Sequence, residues 1–457
     1  MKILLISSNI TKTPYPVYPL GLSVIAGALK QTPYTVELFD LLNNNCSLQT
    51  LEEKIDFYNP DIVGISVRNI DTTNSLDNKI SLDTVTNIVA SVRSRSSAKI
   101  VLGGSGFSIM PELILKKVKA DYGIVGEGEK LFVDFVNNAA RNIFPEKKFI
   151  YSDSFLNGAN IGHSNYEPET LNYYLNNGGM VSVQTKRGCP HNCIYCSYPV
   201  LEGKSLRCRK PVKVVDDIIK LRDESGAKLL YFTDSVFNDD EGYYLEVLRE
   251  MKRRNICMPW SAFFKPANIL PEIIELMKET GLSAVEIGAD ASTDASLKKL
   301  GKTFSFDEIV KCNSRFRALD ISTAHYYMFG VPGETEKLVL EGIQNVLSIE
   351  DTVSFIFMGI RILPGTSLAN IALKEGIITS EDNLLNSVYY LSPSLNKRWL
   401  EQTLTDAFRN VETCIFPPNA MDNYIDSLHK MGYAGVLWDL LLKKKRRIRK
   451  GQTSCHL

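Results

Sequence analysis

Short apolar runs alternate with amphipathic stretches along most of the chain. MKILLISSN reads as a buried strand, YPLGLSVIAGALKQ as a helix and TVELFDLL as the next strand. LEEKIDFYNP is a helix stopped by Pro60, DIVGISV a strand, SLDTVTNIVASVRSR a helix, AKIVLGG a strand, PELILKKV a helix, and DYGIVGEGE a last strand and turn. Strands this uniformly apolar, joined by helices, predict an α/β layer whose parallel sheet is covered on both faces. Such a sheet binds ligands beyond the carboxyl ends of its strands. This layer is assigned residues 1–140.

Periodicity fades over residues 141–180, which are rich in Asn, Ser, Tyr and Gly and read as a linker. Alternation resumes with GMVSVQTKRGC and continues to LVLEGIQNVLSIEDTVSFIFMGI, giving roughly six strands, nearly all followed by helices. That count predicts a partial (β/α)6 barrel over 181–375, with function at the carboxyl ends of its strands. Residues 376–457 read as a small, mainly helical region with a basic tail, KKKRRIRK.

Composition narrows the function classes. Of 457 residues, 44% are hydrophobic and 23% charged, ordinary for a globular protein. Lys plus Arg and Asp plus Glu number 52 each, so no global field favours nucleic acid, and none is expected as a partner. No signal peptide or membrane-spanning run is visible, which points to the cytoplasm. Nine cysteines in that reducing compartment suggest metal chemistry or buried thiols before disulfides.

Two features carry candidate chemistry. Gly103, Gly104 and Gly106 follow one predicted strand and Gly126 and Gly128 another, so a ligand could lie against bare backbone there, although such turns often carry glycine anyway. The second feature is KRGCPHNCIYCSYP, directly after an apolar strand, where Cys189, Cys193 and Cys196 fall within eight residues. Three thiolates can take three corners of an iron–sulfur cube and leave one iron open. A zinc loop completed by His191 or Cys208, or three unrelated buried thiols, are the alternatives.

The CxxxCxxC spacing, with Tyr195 before the last cysteine, resembles the signature of radical S-adenosylmethionine (SAM) enzymes. GADASTDASLKKLGK (288–302), MFGVPGET (328–335) and RILPGTSL (361–368) resemble later motifs of that family, in order. YPLGLSVIAGAL, VLGGSGFSIMPE and GIVGEGE resemble the Rossmann-like cobalamin (B12)-binding domain that precedes the barrel in one large subclass.

The resemblance implies that Cys189, Cys193 and Cys196 hold a [4Fe-4S] cluster whose open iron chelates SAM, which is cleaved to a 5′-deoxyadenosyl radical. It places Tyr195 near the adenine, Asp234 at the methionyl amine and Asp290 where many members have Glu, with Ser292 or Thr293 sharing its polar role. Gly330 and Pro332 shape the adenine wall, and Arg361 meets a SAM or cobalamin carboxylate or phosphate. The cobalamin wall falls to Gly103, Gly104, Ser105, Gly126, Glu127 and Gly128, with Pro19, Leu20 and Gly21 beside them. None of the five histidines lies in a D-x-H-x-x-G motif, so a bound cobalamin would have no histidine ligand. No individual catalytic residue is assigned.

The activity so implied is cobalamin-dependent methylation of an unactivated carbon on a small molecule or peptide. The electron donor would be a flavodoxin or ferredoxin. Rearrangement or cyclisation, including ring contraction, uses the same motifs. A methylthiotransferase fits less well, because of the cysteines such proteins place in the N-terminal domain only Cys46 is present. A reading from another class takes the basic tail as an RNA- or membrane-binding anchor on a metal-stabilised module, with peripheral membrane contact through that tail.

Overall fold

The structure, a computed structural model, describes residues 1–443 apart from 78, 80, 153 and 268. Of the basic tail only Lys443 is among them; the rest of that expectation lies outside the described residues. No helix among the described residues is long and apolar enough to cross a membrane.

The N-terminal strands are β1 (Lys2–Ser7), β2 (Thr35–Asp40), β3 (Ile62–Ser66), β4 (Lys99–Gly103), β5 (Tyr122–Val125) and β6 (Phe149–Tyr151). They form one parallel sheet in the order β2-β1-β3-β4-β5-β6. Strands β1, β3 and β4 are apolar because helices cover both faces, as in Leu20–Leu29 and Gly128–Ala139 against Leu82–Arg95. Strand order reverses between β1 and β3, which opens a crevice above their carboxyl ends.

Two of these elements depart from expectation. Helix Gly128–Ala139 follows the segment read as a final turn, its Phe132, Phe135 and Val136 buried in the core. Strand β6 comes from the segment read as a linker. It is three residues long and none is buried, so no apolar pattern announced it. That segment also holds helix Pro168–Asn177, whose Tyr174 hydroxyl donates to Asp40 at 3.1 Å.

The second half is built on β7 (Val181–Val183), β8 (Lys186–Arg187), β9 (Arg207–Cys208), β10 (Leu230–Phe232), β11 (Trp260–Phe264), β12 (Leu282–Asp290), β13 (Ser322–Phe329), β14 (Thr352–Met358), β15 (Ile360–Arg361), β16 (Tyr389–Tyr390) and β17 (Cys414–Ile415). Seven form an open parallel sheet in the order β17-β14-β13-β12-β11-β10-β7; β8/β9 and β15/β16 are small antiparallel ribbons. The six predicted barrel strands are joined by β17, a two-residue strand too short to read from its sequence.

Helices cover one face of this sheet, packing against Val285 and Ile287. The other face carries Ala284, Ala324, Val353 and Phe355, and the C-terminal segment fills it with Ile415, Met421, Ile425, Leu437 and Trp438. The barrel is therefore plugged by its own C-terminal segment.

One hydrophobic cluster runs from Leu4 and Ile65 of the first sheet to Ile356, Ile360 and Tyr390 of the second half. Buried ion pairs cross the same junction. Arg361 meets Asp71 at 2.6 Å, and Arg187 meets Glu127 at 3.0 Å and Glu129 at 2.5 Å.

Candidate functional site

The cysteine loop is shaped by glycines and by bonds to its neighbours. Gly188 has φ +92°, and a Cβ there would lie 2.1 Å from the Ser205 carbonyl oxygen, so no other residue fits. The Gly188 N–H donates to Glu202 at 3.0 Å, and the Cys189 N–H to the Gly203 carbonyl at 3.0 Å. The far side of the loop rests on residues 300–302, where the Ile194 N–H donates to the Leu300 carbonyl at 3.1 Å.

So held, Cys189, Cys193 and Cys196 all line one cavity of about 470 Å³, together with Tyr195, Asp234 and Asp290. Burial raises the Cys193 thiol, with Lys302 pulling it back, and pushes the Cys196 thiol up to about 12. His191 is also on the wall; Cys208, on the β8/β9 ribbon, is not. Among the described residues no group of three His, Cys, Asp or Glu is arranged to hold a single metal ion. Three thiols on the wall of one cavity are the donor set that three corners of an iron–sulfur cluster take, each sulfur at its own iron.

Asp290 ends β12 at a register shift against β13 and has φ +64°, a bulge that re-aims its carboxylate. The Tyr195 hydroxyl donates to it at 2.7 Å, and Lys302 forms an ion pair with it while lying 3.1 Å from that hydroxyl. Lys302 ends the GADASTDASLKKLGK motif, which by itself assigns it no role. Its signal was its place after the glycine turn that abuts the cysteine loop.

Asp234 lines the cavity, yet its oxygens accept from the Thr185 N–H at 2.7 Å, the Thr185 hydroxyl at 2.5 Å and the Lys186 ammonium at 3.2 Å. Its carboxylate is thus compensated by the strand end it sits on. Ser292, Gly330, Pro332 and Arg361 do not line this cavity. Ser292 is buried with its carbonyl accepting from Asn345 at 2.7 Å, and Thr293 caps helix Asp294–Lys299. The Gly330 N–H donates to buried Glu334. Arg361 spends its donors on Asp71 and on the carbonyls of Ile362 and Leu384 at 2.7 and 2.6 Å.

A second cavity, about 580 Å³, occupies the crevice at the reversal of strand order. Leu20, Gly21, Gly103, Gly104, Ser105, Gly126, Glu127 and Gly128 all line it; Pro19, one residue before the helix, does not. Gly104 has φ +98° and would place a Cβ 2.6 Å from the Val67 carbonyl oxygen. Gly126 has φ +86° with nothing within 4 Å of where a Cβ would point. This open, glycine-walled crevice fits a large flat ligand, and no histidine lines it. Burial would raise the Glu127 carboxyl, but the Leu156 N–H, Arg187 and Arg207 hold it below its ordinary value.

The two cavities adjoin, sharing Arg68, Tyr198 and Thr233 as walls. Sequence reading also passed over Arg68, Tyr15 and Tyr231, which belong to no motif and gain meaning only from this junction.

Comparison with known proteins follows the same division. The B12 binding domain model matches residues 6–136, and the Radical SAM superfamily model matches residues 183–344. The chain is 26% identical over 432 residues to the tryptophan 2-C-methyltransferase of Streptomyces laurentii, covering 78% of this chain and 72% of that protein. Its fold matches the radical S-adenosylmethionine methyltransferase TsrM from Kitasatospora setae, solved with cobalamin and a [4Fe-4S] cluster, at a TM-score of 0.84 and 21% identity over 99% of each chain. It also matches the cobalamin-dependent S-adenosylmethionine radical enzyme OxsB at a TM-score of 0.71 and 15% identity, over 98% of this chain and 71% of that one.

Proposed function

The chain is a radical SAM protein with a B12-binding domain, and from that premise we propose that it is a cobalamin-dependent methyltransferase acting on a carbon of a small molecule. The observation that carries the proposal is the shared wall: the cysteine cavity opens beside the glycine crevice, with Arg68, Tyr198 and Thr233 common to both. Passing a methyl group from one cofactor to the other and on to a substrate needs each donor within reach of its acceptor in turn, which adjoining cavities allow. When bound, the cluster supplies an electron, SAM the sulfonium and cobalamin a cobalt able to carry a methyl group.

The chain's own contribution is placement. Cys189, Cys193 and Cys196 are assigned the three iron corners. Lys302 offsets thiolate charge at Cys193 and, with Asp290, fixes the ring of Tyr195. Asp290 and Asp234 border the SAM side. Gly103, Gly104, Ser105, Gly126 and Gly128 leave backbone bare for the corrin face, while Glu127 joins that wall to the barrel through Arg187 and Arg207. Tyr195, Tyr198, Tyr231, Phe263 and Phe264 on the wall reduce the room for water beside the reacting groups. We assign the reducing electron to a flavodoxin- or ferredoxin-like donor and the setting to the cytoplasm.

The test is anaerobic reconstitution with iron, sulfide, SAM and cobalamin. The wild type should hold about four irons per chain and Cys→Ala variants at 189, 193 or 196 far fewer. S-adenosylhomocysteine formed during turnover supports methyl transfer. 5′-Deoxyadenosine without it would indicate rearrangement or cyclisation, and a wild-type chain loaded with zinc alone would overturn the assignment.

A further inference from the structure

The cysteine loop has two sides, and only one of them serves the cavity. Cys189, His191, Cys193, Tyr195 and Cys196 line it. Pro190, Asn192, Val200 and Lys204, interleaved with them or just beyond, are exposed to solvent and line neither cavity. The same short segment that carries the thiols therefore also meets bulk water. Electron tunnelling weakens steeply with distance, so a protein that reduces a cluster here is best placed on a surface made by the cluster's own ligand loop.

That surface has a positive rim. Lys204 Nζ donates to Asn192 Oδ1 at 3.1 Å. Gly301 packs so closely that a Cβ would lie 2.6 Å from the Asn192 carbonyl oxygen, which sets the end of helix Asp294–Lys299 against the loop. Lys298 and Lys299 close that helix and are exposed, and the Lys299 side chain runs past Gly333. Among the described residues, none of Lys204, Lys298 and Lys299 has a carboxylate within ion-pair distance. Lys302, three residues on, turns inward and is paired with Asp290. The acids of these segments are spent elsewhere: Glu202 accepts from the Gly188 N–H, Glu334 from the Gly330 N–H and Asp294 from the Phe306 N–H. Exposed Glu336 has exposed Lys337 beside it in the chain. Val200, 53% exposed and four residues before Lys204, adds apolar surface against the turn at Gly365.

We propose that this outer side of the cysteine loop is the docking surface for an acidic electron-carrier protein, with Lys204, Lys298 and Lys299 as its charged rim and Val200 as its apolar centre. The proposal rests on the reading of the three cysteines as cluster ligands and of the donor as a protein. An apolar centre inside a polar rim is the make-up of a protein interface, and electron-transfer contacts are among the small ones. In such contacts opposite charges act mainly on the association rate. One electron passes from the donor, which is oxidised, to the cluster, which is reduced; no bond forms or breaks. Lys plus Arg equals Asp plus Glu over the whole chain, so the attraction comes from the local patch.

The test is rapid-freeze electron paramagnetic resonance of the cluster-loaded full chain during reduction by a reduced plant-type ferredoxin, beside the affinity of labelled ferredoxin read by fluorescence anisotropy. At about 0.02 M salt, Lys204→Glu, Lys298→Glu and Lys299→Glu should each weaken binding and slow reduction roughly three- to tenfold. The differences should vanish near about 1 M salt, where charges are screened beyond about 3 Å. Photoreduced deazariboflavin, small and uncharged, should reduce all of these proteins at one rate, which reports an intact fold and cluster. Lys147→Glu, the same change of net charge at an exposed position before β6, should leave ferredoxin affinity unchanged. Wild-type affinity in the three loop-side variants, an equal loss in Lys147→Glu, slower reduction by deazariboflavin, or a wild type that ferredoxin neither binds nor reduces would overturn the proposal. So would a wild-type dimer that the same variants abolish, because the patch would then serve a second copy of this chain. These readouts are independent of methyl transfer: ferredoxin reduction without S-adenosylhomocysteine would sink the methyl-transfer reading alone, and turnover with ferredoxin affinity untouched in the variants would sink the docking surface alone.

Discussion

Gly21 and Gly104 make opposite demands on an added methyl group. At Gly21, inside helix Leu20–Leu29, nothing lies within 4 Å of where a Cβ would stand. Gly21→Ala should therefore stabilise the ligand-free chain by up to ~1 kcal/mol through helix propensity. The same methyl enters the glycine crevice, so cobalamin retained after desalting, read by its visible absorbance, should fall. Gly104→Ala meets the Val67 carbonyl and a φ of +98°, so stability should drop by about 1–3 kcal/mol along with retention. A Gly21→Ala protein that keeps its cobalamin would remove that helix start from the wall. The cysteine trio and the glycine turns were legible because their chemistry is local in sequence. Lys302 was not, since its meaning depends on a contact with Tyr195, more than a hundred residues away in the chain.

At the scale of elements, strand β13 carries a buried switch in stability. His325 is fully buried; its Nε2 lies 3.1 Å from Asn313 Oδ1 on helix Phe306–Ala318, and Nδ1 has no partner. Asn313 Oδ1 also accepts from Thr323 at 2.6 Å. Burial pushes this imidazole down to about 3. A folded-state value below the unfolded one, ~6.5, means the unfolded chain binds the proton first. The contribution is whole above pH ~6.5 and lost as pH falls toward 3, at about 1.4 kcal/mol per unit. In urea unfolding at pH 6.5 and 5.0, His325→Gln should lose about 2 kcal/mol less than the wild type. Equal losses would mean that the imidazole is not held neutral. The strand itself was readable, because β12, β13 and β14 are apolar in long runs. Strands β6 and β17 were not, because a short edge strand has too few buried positions to set a period. The helix over Gly128–Ala139 does have an amphipathic pattern, and it was hidden by the glycine turn read before it.

At the scale of the molecule, function depends on two halves keeping one shared wall, and Arg361 shows how that is held. Its motif predicted an anion-binding arginine at the cofactors. The structure instead buries it against Asp71, with side chains only 4% and 1% exposed and a partner 290 residues distant. No local reading of RILPGTSL contains that partner. Ser387 adds a hydrogen bond to the same carboxylate at 2.8 Å, so apart from the Thr73 N–H at 2.9 Å the partners of Asp71 come from the other half and are met only while the halves are docked. Arg361→Leu strands the Asp71 carboxylate in the interface and should cost about 3–5 kcal/mol in the ligand-free chain. Adding Asp71→Leu removes the stranded charge and should recover much of that loss, because the two sites share one interaction. Denaturant unfolding of the two single variants and the double variant checks the cycle. If Arg361 served a cofactor anion, Arg361→Leu would weaken SAM or cobalamin binding and leave the unfolding of the empty chain unchanged. The docked geometry requires the reverse order: stability falls first, and cobalamin retention falls because the crevice has lost its opposite wall.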